Sequence, residues 1–197
     1  MPEFSLKTTG VVAAPQPIAF LALPLLAQGY SKALFWTNTD GSREDGTFDP
    51  ETGSSLPEEV GYSDLAGPIL QVILEDCAAF ETLAAEALEE AGDRGYSDER
   101  AGVDFWLTRS GSGVSFADRS ELGLIGEEAE AVAALFTASN EAFDDKGDTP
   151  EYRALWQKAL TESKRLEAHS PGARLDAIAR TFGGLDVYLG DDGKVYF

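Results

Sequence analysis

Residues 103–119 read VDFWLTRSGSGVSFADR, and how they fold decides the class of the whole chain. The stretch 103–109 alternates apolar and polar side chains and is rich in the β-branched and aromatic residues that suit a pleated surface. Ser110-Gly111-Ser112-Gly113 has the composition of a turn, and 114–119 resumes the alternation. A turn at 110–113 pairs Arg109 with Val114, sets Trp106 opposite Ala117, and makes Asp104 and Arg119 a cross-strand ion pair. Asp104, Trp106, Arg109, Asp118 and Arg119 are therefore expected to build this hairpin. As a polar cluster they could serve acid–base chemistry, but pinning two strands is the simpler role. Trp106 falls on the face opposite Phe105, and the many flanking helices favour its being covered.

Outward from this segment the pattern is mostly helical. Residues 17–36 form an apolar stretch suited to a helix kinked at Pro24. In 65–91, Ile69, Leu70, Ile73, Cys77, Phe80, Ala84 and Leu88 recur at helical spacing, with Gly92 as the stop. Further helices are predicted over 127–143, 149–168 and 170–182, the last two opened by Pro150 and Pro171. A terminal hairpin is expected around Gly190-Asp191-Asp192-Gly193. The expected fold is α+β, a small antiparallel sheet of two β-hairpins covered by several α-helices. It is expected to form one domain over 17–197 behind a flexible tail at 1–16, with a long loop at 38–63.

Charge narrows the function. The chain has thirty-five Asp and Glu against fifteen Lys and Arg in 197 residues, a net charge of -20. Residues 40–99 hold seventeen of the acids against Arg43 and Arg94 alone, whereas 152–197 are nearly balanced. Such a field repels nucleic acid and anionic membranes and attracts basic protein surfaces. The expected contact acids are Asp40, Glu44, Asp45, Asp49, Glu51, Glu58, Glu59, Glu86, Glu89 and Glu90. A calcium loop is not expected at 40–51, because the acids lack its spacing and its terminal Glu. The stretch 17–27 (PIAFLALPLLA) lacks the basic lead-in of a signal peptide, and no run of apolar residues is long enough for a membrane span.

The single Cys77 excludes an internal disulfide, and with His169 as the one histidine, few nucleophile–base pairs or zinc sites can be built. Cys77 lies on an apolar stripe and is expected to be buried and inert. Ser110-Gly111-Ser112-Gly113 lacks the Lys and following helix of a phosphate loop. No catalytic residue, metal or cofactor is expected. A carboxylate-only hydrolase stays open as an alternative, since it needs just two acids.

The run 101–109, with Gly111, Gly113, Phe116, Asp118 and Arg119, resembles a signature of small, acidic, uncharacterised proteins of bacteriophages and related mobile elements. Further pieces are similar in order: Phe35, Trp36, Thr37, Asn38, Thr39 and Asp40; then Glu75, Asp76, Cys77, Ala79 and Phe80; then Phe182-Gly183 and 186–193. Members of that family often carry His where this chain has Val103 and near Ser112, so chemistry built on those histidines does not carry over. Relative to shorter members, 146–171 resembles a helical insertion. The resemblance implies a cytoplasmic accessory protein of phage origin. Together with the charge, it leads us to expect a non-enzymatic protein that binds a basic surface, even a DNA mimic that antagonises a host nucleic-acid-binding or defence protein. Acidity that serves solubility alone is the competing expectation.

Overall fold

The computed structural model describes residues 19–39, 56–57 and 59–197. The predicted tail at 1–16 and most of the loop at 38–63 lie outside these residues. Among the described residues the chain forms seven α-helices: α1 (Leu25–Thr39), α2 (Gly67–Leu83), α3 (Ala85–Asp93), α4 (Asp98–Ser110), α5 (Gly126–Lys146), α6 (Pro150–Glu167) and α7 (Pro171–Arg180). Its only regular sheet among them is the two-residue-per-strand hairpin of β1 (Tyr188–Leu189) and β2 (Val195–Tyr196). The expected α+β class with two hairpins is therefore corrected to a mainly helical fold.

The decisive stretch 103–109 lies inside α4 and is not a strand. Residues 116–118, expected in the returning strand, form a 3₁₀ turn (Phe116–Asp118). The local signals for a helix were present. Ser97 accepts a hydrogen bond from the Arg100 amide as N-cap, Asp98 and Glu99 occupy the first turn, and Gly111 closes the helix in the left-handed conformation at φ 69°. The alternation misled because α4 runs through the centre of the protein. Phe105, Trp106, Leu107, Thr108 and Arg109 are all buried, so no polar face marks the 3.6-residue period.

Contact between α1 and α4 is backbone to backbone. A Cβ added to Gly102 would stand 1.9 Å from the Leu26 carbonyl oxygen, and one added to Gly29 would stand 1.8 Å from that of Glu99. Only glycine at both places lets the axes cross so closely. The approach brings Tyr30 edge-on to Trp106, with ring centroids 5.2 Å apart, and Thr37 Oγ1 accepts from Trp106 Nε1 at 2.7 Å. Trp106 is thus covered, as expected. Its indole N–H is satisfied, which makes full burial affordable.

The predicted 65–91 helix is divided at Ala84 into α2 and α3, and its apolar stripe faces inward. Phe80 stacks on Phe105 at 4.2 Å and on Phe116 at 5.7 Å, and Phe182 meets Phe105 edge-on at 5.0 Å. Helix α1 begins just after Pro24 rather than being kinked by it, with a short 3₁₀ turn at Phe20–Ala22 before it. The terminal hairpin pairs Tyr188 with Tyr196 and Leu189 with Val195. Val195 is fully buried, and its carbonyl accepts from the Ala66 amide at 3.1 Å. Helices α5 and α6 pair with each other through Phe136–Trp156 and Phe143–Tyr152, apart from the main aromatic core.

Candidate functional site

The four polar residues expected in one hairpin are distributed over three places. Asp104 and Arg119 do pair, with Arg119 Nε donating to Asp104 Oδ2 at 2.7 Å and Nη2 donating to Oδ1. The bond links α4 to the end of the 3₁₀ turn, not two strands. Tyr96, at the turn before α4, donates its hydroxyl to Asp104 Oδ2. Burial, followed by this bond to a carboxylate, pushes the Tyr96 hydroxyl well above its ordinary value. The fork from Asp104 raises Arg119, so its charge is held firmly. Asp118 stands apart and caps its own turn, accepting from the Ser115 amide at 2.7 Å.

Arg109 belongs to a third cluster that sequence reasoning missed. Its Nη1 donates to Asp76 Oδ2 at 2.6 Å and to the Tyr30 hydroxyl at 3.0 Å. Nε and Nη2 donate to the carbonyls of Gly183 and Phe182 at 3.1 and 3.2 Å. The guanidinium also lies 5.4 Å from the centroid of the Phe105 ring. One buried cation thus ties α1, α2, α4 and the segment after α7. The available signal was a pair of opposite charges, Asp76 and Arg109, each set within an otherwise apolar stripe. Cys77 is buried beside Asp76, and burial, with Asp76's charge next, pushes its thiol up, which keeps it un-ionised and inert.

The hydrogen-bonding groups of Asp104, Arg109 and Arg119 are engaged by the protein's own residues. They leave the exposed acids as the candidate site. Asp40, Glu44, Asp45, Asp49, Glu51 and Glu58 lie outside the described residues. Glu59, Glu86 and Glu89 are exposed. Glu90 is not free for a partner. Arg94 Nη2 donates to its Oε1, and Arg174 Nη2 to its Oε2, so it fastens α3 to α7. Arg174 also lies 3.6 Å from Glu86.

Arg94, the one base of 40–99 within the described residues, is turned inward. Its Nη1 donates to the Gly123 carbonyl at 2.8 Å. The exposed acids Glu75, Glu81, Glu89, Asp93 and Asp98 therefore face solvent with no Arg or Lys ion pair among the described residues. Like charges crowd there. Partial desolvation, and then the charge of Asp98, raises the Glu81 carboxyl above its ordinary value. Sequence reasoning did not count Glu75, Glu81, Asp93 or Asp98 among the contact acids.

Among the described residues no group of three or more His, Cys, Asp or Glu is placed to hold a metal, and no helix is long and apolar enough to cross a membrane. No protein-family model, curated protein or solved structure matches the chain.

Proposed function

We propose that the protein binds a basic protein surface through the acids of α2, α3 and the start of α4. Its partner would be a nucleic-acid-binding or defence protein of a host cell, which it occupies as a DNA mimic. A phage or mobile-element origin, suggested by the signature at 101–119, agrees with that role. One observation carries the reading. Among the described residues Glu75, Glu81, Glu89, Asp93 and Asp98 stand exposed without an Arg or Lys ion pair, a crowding that, after desolvation, raises the Glu81 carboxyl through the charge of Asp98. A basic groove closing over these acids would relieve it and release counterions from both partners.

The test is retention of host proteins by the immobilised chain, read against salt and against added duplex DNA. The reading expects DNA-binding proteins to be held at low salt, to elute as salt rises, and to be displaced by duplex DNA. Replacing Glu81, Glu89 and Asp98 together by Lys should abolish retention. Proteins held equally well by that variant, or indifferent to DNA, would refute mimicry.

A further inference from the structure

The pair of helices α5 and α6 has an incomplete core. The residues they bury are Val132, Ser139, Ala159 and Ser163, all small or medium-sized. Their large side chains do not reach burial. Leu135, Phe136, Leu155, Trp156 and Leu160 are half-exposed, and Phe143 is 46% exposed. Two antiparallel helices alone cannot enclose such residues, and bundles of this kind usually close with four helices. An open groove of about 660 Å³ runs between them, walled by Ala131 and Leu135 on α5 and by Gln157, Lys158, Thr161 and Glu162 on α6.

Charge selects the occupant. Helix α5 carries Glu127, Glu128, Glu130, Glu141, Asp144 and Asp145 against Lys146 alone. Helix α6 carries Arg153, Lys158, Lys164 and Arg165 against Glu151, Glu162 and Glu167, and Arg153 and Arg165 are already paired with Asp148 and Glu162, which leaves Lys158 and Lys164 as its available bases. Within one chain the antiparallel pairing already sets the acidic start of α5 beside the basic end of α6, where Arg165 is raised chiefly by its hydrogen bond to Glu162 and last by the charge of Glu128. Lys158 and Lys164 have no ion-pair partner among the described residues and are exposed.

We infer that this face receives the same face of a second copy of the chain, giving a two-fold symmetric four-helix bundle. In that arrangement each α5 lies antiparallel to the other copy's α6, and the intrachain charge match is repeated between chains. Glu127 and Glu128 face the second copy's Lys164. Ala131, Ala134 and Ala138 allow the close approach that Leu135 needs to be covered. Each helix is about 30 Å long, which gives a face approaching the ~800 Å² a side of a standard interface.

Sedimentation of the full chain at about 0.15 M salt, where surface charges are screened beyond ~8 Å, tests this. Interfaces of this size reach at least micromolar affinity, so at about 50 μM the mass should be near twice 21.1 kDa. Leu135→Glu should weaken association at least tenfold with helicity by circular dichroism unchanged. A second, independent arm exchanges charges. K158E/K164E and E127K/E128K variants should each be monomeric and should form a dimer when mixed. A monomer at every concentration overturns the proposal and leaves the face to another protein or to this chain's own residues. A dimer indifferent to Leu135→Glu, or swapped variants that do not recombine, overturns it equally.

Discussion

Arg109 holds Asp76 at 2.6 Å and, through the same guanidinium, the backbone carbonyls of Phe182 and Gly183. A side chain in the last turn of α4 thereby fixes both the acid of α2 and the path of the chain beyond α7. Removing one partner of a buried charge pair costs about 3–5 kcal/mol, because the other is left uncompensated. Arg109→Ala should lose that much in urea unfolding. Arg109→Lys keeps the charge but not the planar fork that reaches four acceptors, and should lose about 2 kcal/mol. Asp76 is partly exposed, so Asp76→Asn should cost less, about 1–2 kcal/mol.

Gly102→Ala should be more damaging than its single methyl suggests. The new Cβ meets a backbone oxygen that no rotamer change can move. Overpacking of this kind costs about 1–3 kcal/mol or more, and for a chain of this size each kcal/mol lowers Tm by roughly 2–4 °C. Thermal melts of Gly102→Ala and Gly29→Ala should both fall, by roughly 2–12 °C. A variant of either that melts like the parent would show that α1 and α4 do not cross at these glycines.

Glu81→Gln should stabilise the protein at neutral pH. The folded-state carboxyl is raised above its ordinary 4.5, so as pH rises past that value the unfolded chain gives up its proton before the folded one does. Stability is lost across that window, and the neutral amide does not lose it. The gain in Tm should therefore be present at pH 7, shrink through pH 5 and vanish near pH 3. In an Asp98→Asn background the gain from Glu81→Gln should be smaller, because Asp98 is the second cause of the Glu81 shift after desolvation.

Tyrosine ionisation should lag far behind free phenol. Burial holds Tyr62 at about 12, and Tyr30 and Tyr96 higher still. Absorbance at alkaline pH should show Tyr30, Tyr62 and Tyr96 ionising only as the protein unfolds. Below pH 10 these groups bind the same protons in both states. Above it the unfolded chain loses protons that the folded one keeps, so stability falls with rising pH. Tyr96→Phe should flatten part of that slope, and by taking a donor from buried Asp104 should cost about 1–3 kcal/mol at neutral pH.

The sequence was most legible where an amphipathic period or a cap stood alone. The stripe Ile69, Ile73, Cys77 and Phe80 faces the core as its spacing requires. Thr149 and Ser170 cap α6 and α7 before Pro150 and Pro171. Legibility failed at 103–109, because burial on all sides erases periodicity and leaves β-branched and aromatic propensity as the louder signal. The Asp104–Arg119 pair was found for the wrong reason. Fifteen residues around a glycine turn bring the two together whether the first arm is strand or helix. Arg109–Asp76 stayed hidden because its partners are far apart in the chain and two of them are backbone carbonyls. Among the expected contact acids, the tie of Glu90 to α7 stayed hidden because Arg174 lies eighty-four positions away.

The bridge between Leu65 and Val195 bears on how the protein comes into being. Helices form within about a microsecond, but a contact spanning 130 positions waits for the intervening chain to arrive and for the cost of closing so long a loop. During synthesis the aromatic rings of α2 and α4 exist before the segment that Arg109 grasps and before the strand that seals position 65. Every newly made copy passes through an interval in which that apolar surface is open and sticky. The dense negative charge around it then acts as a built-in deterrent, keeping nascent chains apart until the last strand closes the latch.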